Sequence, residues 1–250
     1  MWAFLIGTLW HLIHTSWLIL FLPPFDPWPL FYWSPPLHGQ VVDAETKEPL
    51  PNVIVVAKWM LQATPSANAV DELEVMETVT DGEGRFAFTW RRPRFRWPWR
   101  GYLYDHAPEV IMFKSGYRFA TFWRDRTDAQ AELLSWMIRA VASPREWTSP
   151  PIKRVELSVF KGKLQEYAEH LADLEDGYLD NVFTVRNCSW RNYPRMQAVL
   201  HVEAERFRSL GISHRPHTLE ERERSFEKFR KRCGSVVDLA KEYIPRERSR

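Results

Sequence analysis

At 250 residues and 45% hydrophobic content, the chain holds one large or two small domains and is apolar enough to bury a sizeable core, which excludes a disordered polypeptide. Its 34 Lys and Arg against 32 Asp and Glu leave a formal charge of +2, so no global field draws the protein to nucleic acid or anionic lipid, and only local patches carry such attraction. The 13 tryptophans and 18 prolines are concentrated before Trp99, a compositional break between the two halves.

Met1 to Leu22 contains no Asp, Glu, Lys or Arg. As a helix it would run about 33 Å, enough to cross a hydrocarbon core. The stretch 1–22 is therefore expected to be a transmembrane helix or uncleaved signal anchor, although Gly7, Thr8, His11, His14, Thr15 and Ser16 lower its hydropathy. No Lys or Arg opens it and no small-x-small site precedes Pro23, which argues against a cleaved signal peptide. His11 and His14 share a helix face without a carboxylate beside them, so they read as packing or partner contacts. The next segment, 23–36, reads PPFDPWPLFYWSPP. Its prolines enforce extended geometry, and Phe25, Trp28, Phe31, Tyr32 and Trp33 are rings of the kind that settle at a bilayer interface or strap the following domain.

Strand signals follow. His38–Val42 is a short apolar run, and Asp43–Pro51 is turn-rich. Val53–Ala57 is dense in β-branched residues and suits a strand buried on both faces or packed at a core's edge. Asn68–Leu73 reads as a loop insertion. Glu77–Phe88 reads as a hairpin closed by Asp81-Gly82-Glu83-Gly84. Glu109–Lys114 and Tyr117–Trp123 read as a second hairpin around Ser115-Gly116, Leu133, Trp136, Met137 and Ala140 mark an inserted helix near 128–141, and Val155–Phe160 reads as a closing strand. This pattern predicts a mainly β fold with α additions: an N-terminal transmembrane helix, a seven-stranded antiparallel β-sandwich over 37–160, and a helical C-terminal region over 161–250.

Gly39, Val41, Asp43, Thr46, Pro49, Pro51, Val55, Thr80, Asp81, Gly84 and Phe86, in this order, resemble the framework of the carboxypeptidase regulatory-like domain, a small transthyretin-like β-sandwich. The stretch His38–Trp123, with Gly116-Tyr117, also resembles a group of proteobacterial envelope proteins that carry this domain without a peptidase. The resemblance implies a bacterial inner-membrane protein whose globular part lies in the periplasm.

In the tail, Leu164, Tyr167, Ala168, Leu171 and Leu174 form one apolar helical stripe, and Pro194–Leu210 presents Met196, Val199, Leu200 and Phe207. Leu219–Tyr243 is a third helical pattern interrupted by Gly234, and its run ERERSFEKFRKR reads as a solvated face supported by pairs at i+4. Cys188 and Cys233 are either one disulfide between helical segments or two buried thiols.

Zinc peptidase chemistry needs histidines beside a glutamate base, and neither His11/His14 nor His214/His217 supplies that pattern. No Gly-rich phosphate loop, nucleophile elbow or CxxC occurs. The expectation is a non-enzymatic, membrane-tethered scaffolding or protein-interaction module without a cofactor or metal and without a nucleic-acid partner. The alternative is a glycan- or peptidoglycan-binding module using Trp97, Trp99, Tyr102 and Tyr104. The candidate contact loop for membrane or ligand is Arg91, Arg92, Arg94, Arg96, Trp97, Trp99, Arg100 and Tyr102, where guanidinium groups alternate with rings.

Overall fold

The computed structural model of the chain describes residues 31–32, 36–62, 69–89, 94–95, 102–103, 108–122 and 154–244. The strands are β1 (Phe31–Tyr32), β2 (Leu37–Asp43), β3 (Ile54–Gln62), β4 (Ala69–Val79), β5 (Arg85–Phe88), β6 (Arg94–Phe95), β7 (Tyr102–Leu103), β8 (Glu109–Phe113), β9 (Ala120–Phe122) and β10 (Val155–Leu157). The helices are α1 (Leu164–Leu174), α2 (Val182–Asn187), α3 (Pro194–Ser209), α4 (Leu219–Ser225), α5 (Arg230–Cys233) and α6 (Val236–Ala240). A π-helical turn, Glu175–Leu179, extends α1.

The larger sheet runs β4-β3-β8-β9 with every pair antiparallel, and β7 joins the end of β3. The smaller sheet runs β10-β2-β5, with β5 antiparallel and β10 parallel to β2. β1 and β6 form a separate short pair.

Period-two alternation explains how the larger sheet is covered on both sides. Ile54, Val56, Val75, Ile111 and Phe113 pack with the helical tail through Tyr167, Leu171, Trp190 and Met196. Val55, Ala57, Trp59, Val110 and Met112 face the other way, into a cluster with Leu37, Val41, Phe86, Phe88 and Leu157 of the smaller sheet. The apolar density of β3 is thus the mark of a central strand with no solvent face.

These observations overturn the expected seven-stranded antiparallel β-sandwich. The described residues form two small sheets plus helices, the smaller sheet is mixed, and the helical tail is a layer of the core in its own right. The expected transmembrane helix finds no counterpart: among the described residues no helix is long and apolar enough to cross a membrane, and residues 1–22 lie outside them. The inserted helix near 128–141 also falls outside the described residues.

Three local readings are corrected as well. Ala69–Leu73 belongs to β4 and is not a loop. Asp81–Gly84 does not close a hairpin, because β4 pairs with β3 in one sheet while β5 pairs with β2 in the other. Asp81 Oδ1 accepts the N–H groups of Glu83 and Arg85, and Gly84 sits at φ +69° where an added Cβ would fall on the Val41 carbonyl oxygen, so the turn is a corner between sheets. Leu219–Tyr243, lastly, is no continuous helix. Thr218 and Ser235 cap separate short helices, and Gly234 at φ +81° ends α5.

Candidate functional site

The Arg and Trp stretch singled out in the sequence gives little site geometry. Arg94 lies in β6 beside β1, and Tyr102 lies in β7 opposite Gln62, while Arg91, Arg92, Arg96, Trp97, Trp99 and Arg100 lie outside the described residues. What the fold does assemble is a buried ionic network between the larger sheet and the helical layer.

Lys58 projects from the middle of β3. Its ammonium lies 3.3 Å from Glu72 Oε1 with both side chains at 0% and 1% exposure, and it donates to the Tyr178 carbonyl at 2.7 Å. Glu72 Oε1 also accepts from Thr184 Oγ1 at 2.6 Å and Asn181 Nδ2 at 3.3 Å. Asn181 in turn caps α2 by accepting from the N–H groups of Phe183 and Thr184, both at 2.9 Å. Beside it Asp71 accepts from Arg186 and Asn187, so edge strand β4 meets α2 through two carboxylates. Further along β4, Glu77 accepts from the first N–H groups of α3, Arg195 at 3.1 Å and Met196 at 2.8 Å. This is a helix cap supplied by a distant strand.

The π turn carries the network across the layer. Glu175 Oε1 pairs with Arg222 of α4, and the other arm of that guanidinium pairs with Asp180. Glu175 Oε2 accepts from the His217 backbone N–H at 2.6 Å and from His217 Nδ1 at 2.9 Å. Tyr193, fully buried, donates to the Leu179 carbonyl at 3.2 Å. Burial raises the Glu175 carboxyl, but Arg222 and the His217 donors more than offset it and hold the group below its usual range. For Asp180 the balance falls the other way, with burial pushing it up to about 6 against the attraction of Arg222. The Glu175 hydrogen bond holds His217 above the ordinary imidazole range. Burial likewise pushes Glu77 up to about 7 in spite of its helix N–H donors.

Within the group around the π turn, His217 is half-exposed, with 49% of its side chain open to solvent. With Nδ1–H bound to Glu175, its Nε2 lone pair is available to take a proton. The chemistry on offer is proton binding at the end of an otherwise closed network. Two sets of ligand-type groups come close together, Glu175-Asp176-His217 and His201-Glu205-Glu220. In the first, Glu175 is already saturated by Arg222 and His217, so a cation already fills that role. In the second, His201 Nδ1 accepts the Leu219 N–H at 3.2 Å, which puts the ring proton on Nε2 and leaves no lone pair for an ion.

Cys188 and Cys233 form a disulfide with Cα atoms 5.4 Å apart across 45 residues. It links the end of α2 to the end of α5. The sequence reading left that pairing open and missed the ionic network altogether. A lone Lys in the apolar run of β3 is the signal that could have found Lys58. Arg222 gave none, since it sits in a charge run that reads as solvated yet is only 2% exposed.

No known protein family matches the chain, and no curated protein does. One solved structure with partial similarity is 3-chlorocatechol 1,2-dioxygenase from Rhodococcus opacus 1CP, 22% identical with a TM-score of 0.23, covering 36% of this chain and 43% of that one. At that TM-score the likeness carries no argument about fold or chemistry.

Proposed function

We propose that the chain is a non-enzymatic protein-interaction module that works in an oxidising compartment. The observation that carries this reading is the Cys188–Cys233 bridge, which ties two short helical segments of the tail into one layer. Bridges of this kind persist in secreted and periplasmic settings and are rare where glutathione and thioredoxin keep thiols reduced. The internal charges support the same reading: Lys58, Glu72, Glu175 and Arg222 are each held by partners within the fold, an arrangement suited to keeping a shape.

The test is photo-crosslinking of the full chain in its native cells, compared with a Cys188→Ser/Cys233→Ser variant. The reading expects a reproducible protein partner that the wild type captures and the variant loses. Absence of any specific crosslink from the wild type would contradict it.

A further inference from the structure

The disulfide gathers a cationic surface that neither segment holds alone. Residues 186–192 and 228–234 contribute Arg186, Arg191, Lys228, Arg230, Lys231 and Arg232 and not one acidic residue, in a chain whose formal charge is only +2. The bridge joins the two segments, and the Arg232 guanidinium donates to the Arg186 carbonyl. Three carboxylates answer these cations: Asp71 at Arg186, and Glu223 and Glu227 at Arg230. Arg191, Lys228, Lys231 and Arg232 have no ion-pair partner among the described residues, and all four are exposed.

The rings nearby are already covered. Arg186 lies over Phe183 at 5.4 Å, and Arg232 and Lys228 lie over Phe229 at 5.4 Å and 5.0 Å. Stacking holds these cations against the rings. Guanidinium forks match the paired oxygens of phosphate, and a cluster of them favours an anion with closely spaced charges.

From this geometry we infer that the face around Cys188–Cys233 is a binding surface for a linear, base-free phosphate polymer of the inorganic polyphosphate type. This goes beyond the protein-interaction reading and does not depend on which protein docks. The bridge acts as an organiser, fixing the two charged segments side by side in addition to the Arg232–Arg186 hydrogen bond and the Trp190–Phe226 stack.

The experiment measures binding of the full, unreduced chain to long-chain inorganic polyphosphate by anisotropy across a salt series. The wild type is expected to bind with a steep salt dependence. An Arg191→Gln/Lys231→Gln variant should bind at least about tenfold more weakly, with its log–log salt slope reduced by roughly 1.4–1.8. Lys47→Gln/Lys161→Gln removes equal charge from the smaller-sheet end and should change the slope little. Cys188→Ser/Cys233→Ser keeps every cation and should still lose affinity. The inference is overturned if the wild type does not bind, if the remote pair weakens binding equally, or if polyglutamate or single-stranded DNA of matched length binds more tightly than polyphosphate. A chain that keeps its bridge-dependent protein crosslink while ignoring polyphosphate sinks this inference alone. Binding to polyphosphate without any protein crosslink sinks only the interaction-module reading.

Discussion

Arg222 shows how a single side chain ties this molecule together. Its guanidinium serves Glu175 and Asp180 at once and lies over Phe226, with 2% of the side chain exposed. Removing one member of such a group strands the others in a low-dielectric interior, which costs about 3–5 kcal/mol. Arg222→Leu is therefore expected to lower unfolding free energy by that amount in urea titration, and Lys58→Met by a similar amount through Glu72. The double variant Lys58→Met/Glu72→Leu removes both charges and should cost less than Lys58→Met alone; an equal or greater loss would show that the pair is not coupled. None of this was legible from spacing, because Glu175 and Arg222 are 47 residues apart and the π turn that aims Glu175 inward leaves no periodic trace. By contrast, part of the turn chemistry was readable locally. Thr80 Oγ1 donates to the Leu50 carbonyl and accepts the Val53 N–H, and Asp43 Oδ1 accepts the N–H groups of Glu45 and Thr46. The Asp43 contacts are short-range jobs that a residue type announces, whereas Thr80 acts across 27 and 30 residues.

Among the elements, existence was easier to read than pairing. Local pattern marks β2, β3, β5, β8 and β9, but which sheet each joins depends on contacts far apart in sequence. Gly84 decides one such case, since its backbone conformation lets β5 turn away from β4 toward β2. Gly84→Ala is expected to cost at least about 1–2 kcal/mol, from the positive φ together with the clash on Val41. A melt indistinguishable from wild type would contradict the corner role. In the helical layer the bridge across 45 residues restricts the unfolded chain by about 4 kcal/mol in the loop-entropy view. Cys188→Ser/Cys233→Ser should lose up to about that much in chemical unfolding. No measurable loss would mean that the layer holds without it.

For the whole molecule the titrating groups give the pH dependence of stability a definite sign. Glu77 and Asp180 are raised, to about 7 and about 6, by burial, and His217 is raised by Glu175. A raised group adds stability that is complete below its unfolded value and is lost as pH climbs through its folded value. Glu221 works oppositely. Arg215 lowers it to about 2, so its contribution is lost only in strong acid. His170, lowered by burial, also opposes the acid-favouring groups. The balance favours greater stability near pH 6 than near pH 8, by on the order of 1–2 kcal/mol, readable as a higher melting temperature. Glu77→Gln should flatten that profile between about pH 5 and pH 7, and an unchanged profile would remove Glu77 from the account. The layered mixture of sheet and helix was foreseeable in its parts and not in its assembly, because the stripes of α1 and α3 say that they pack without saying on what.

The central claim is that the helical layer is closed by a disulfide in the compartment where the protein works. It is tested most directly by blocking thiols with an alkylating agent at the moment of cell lysis and weighing the intact chain. The account requires an unmodified mass with Cys188 and Cys233 joined; a chain carrying two alkyl groups would contradict it.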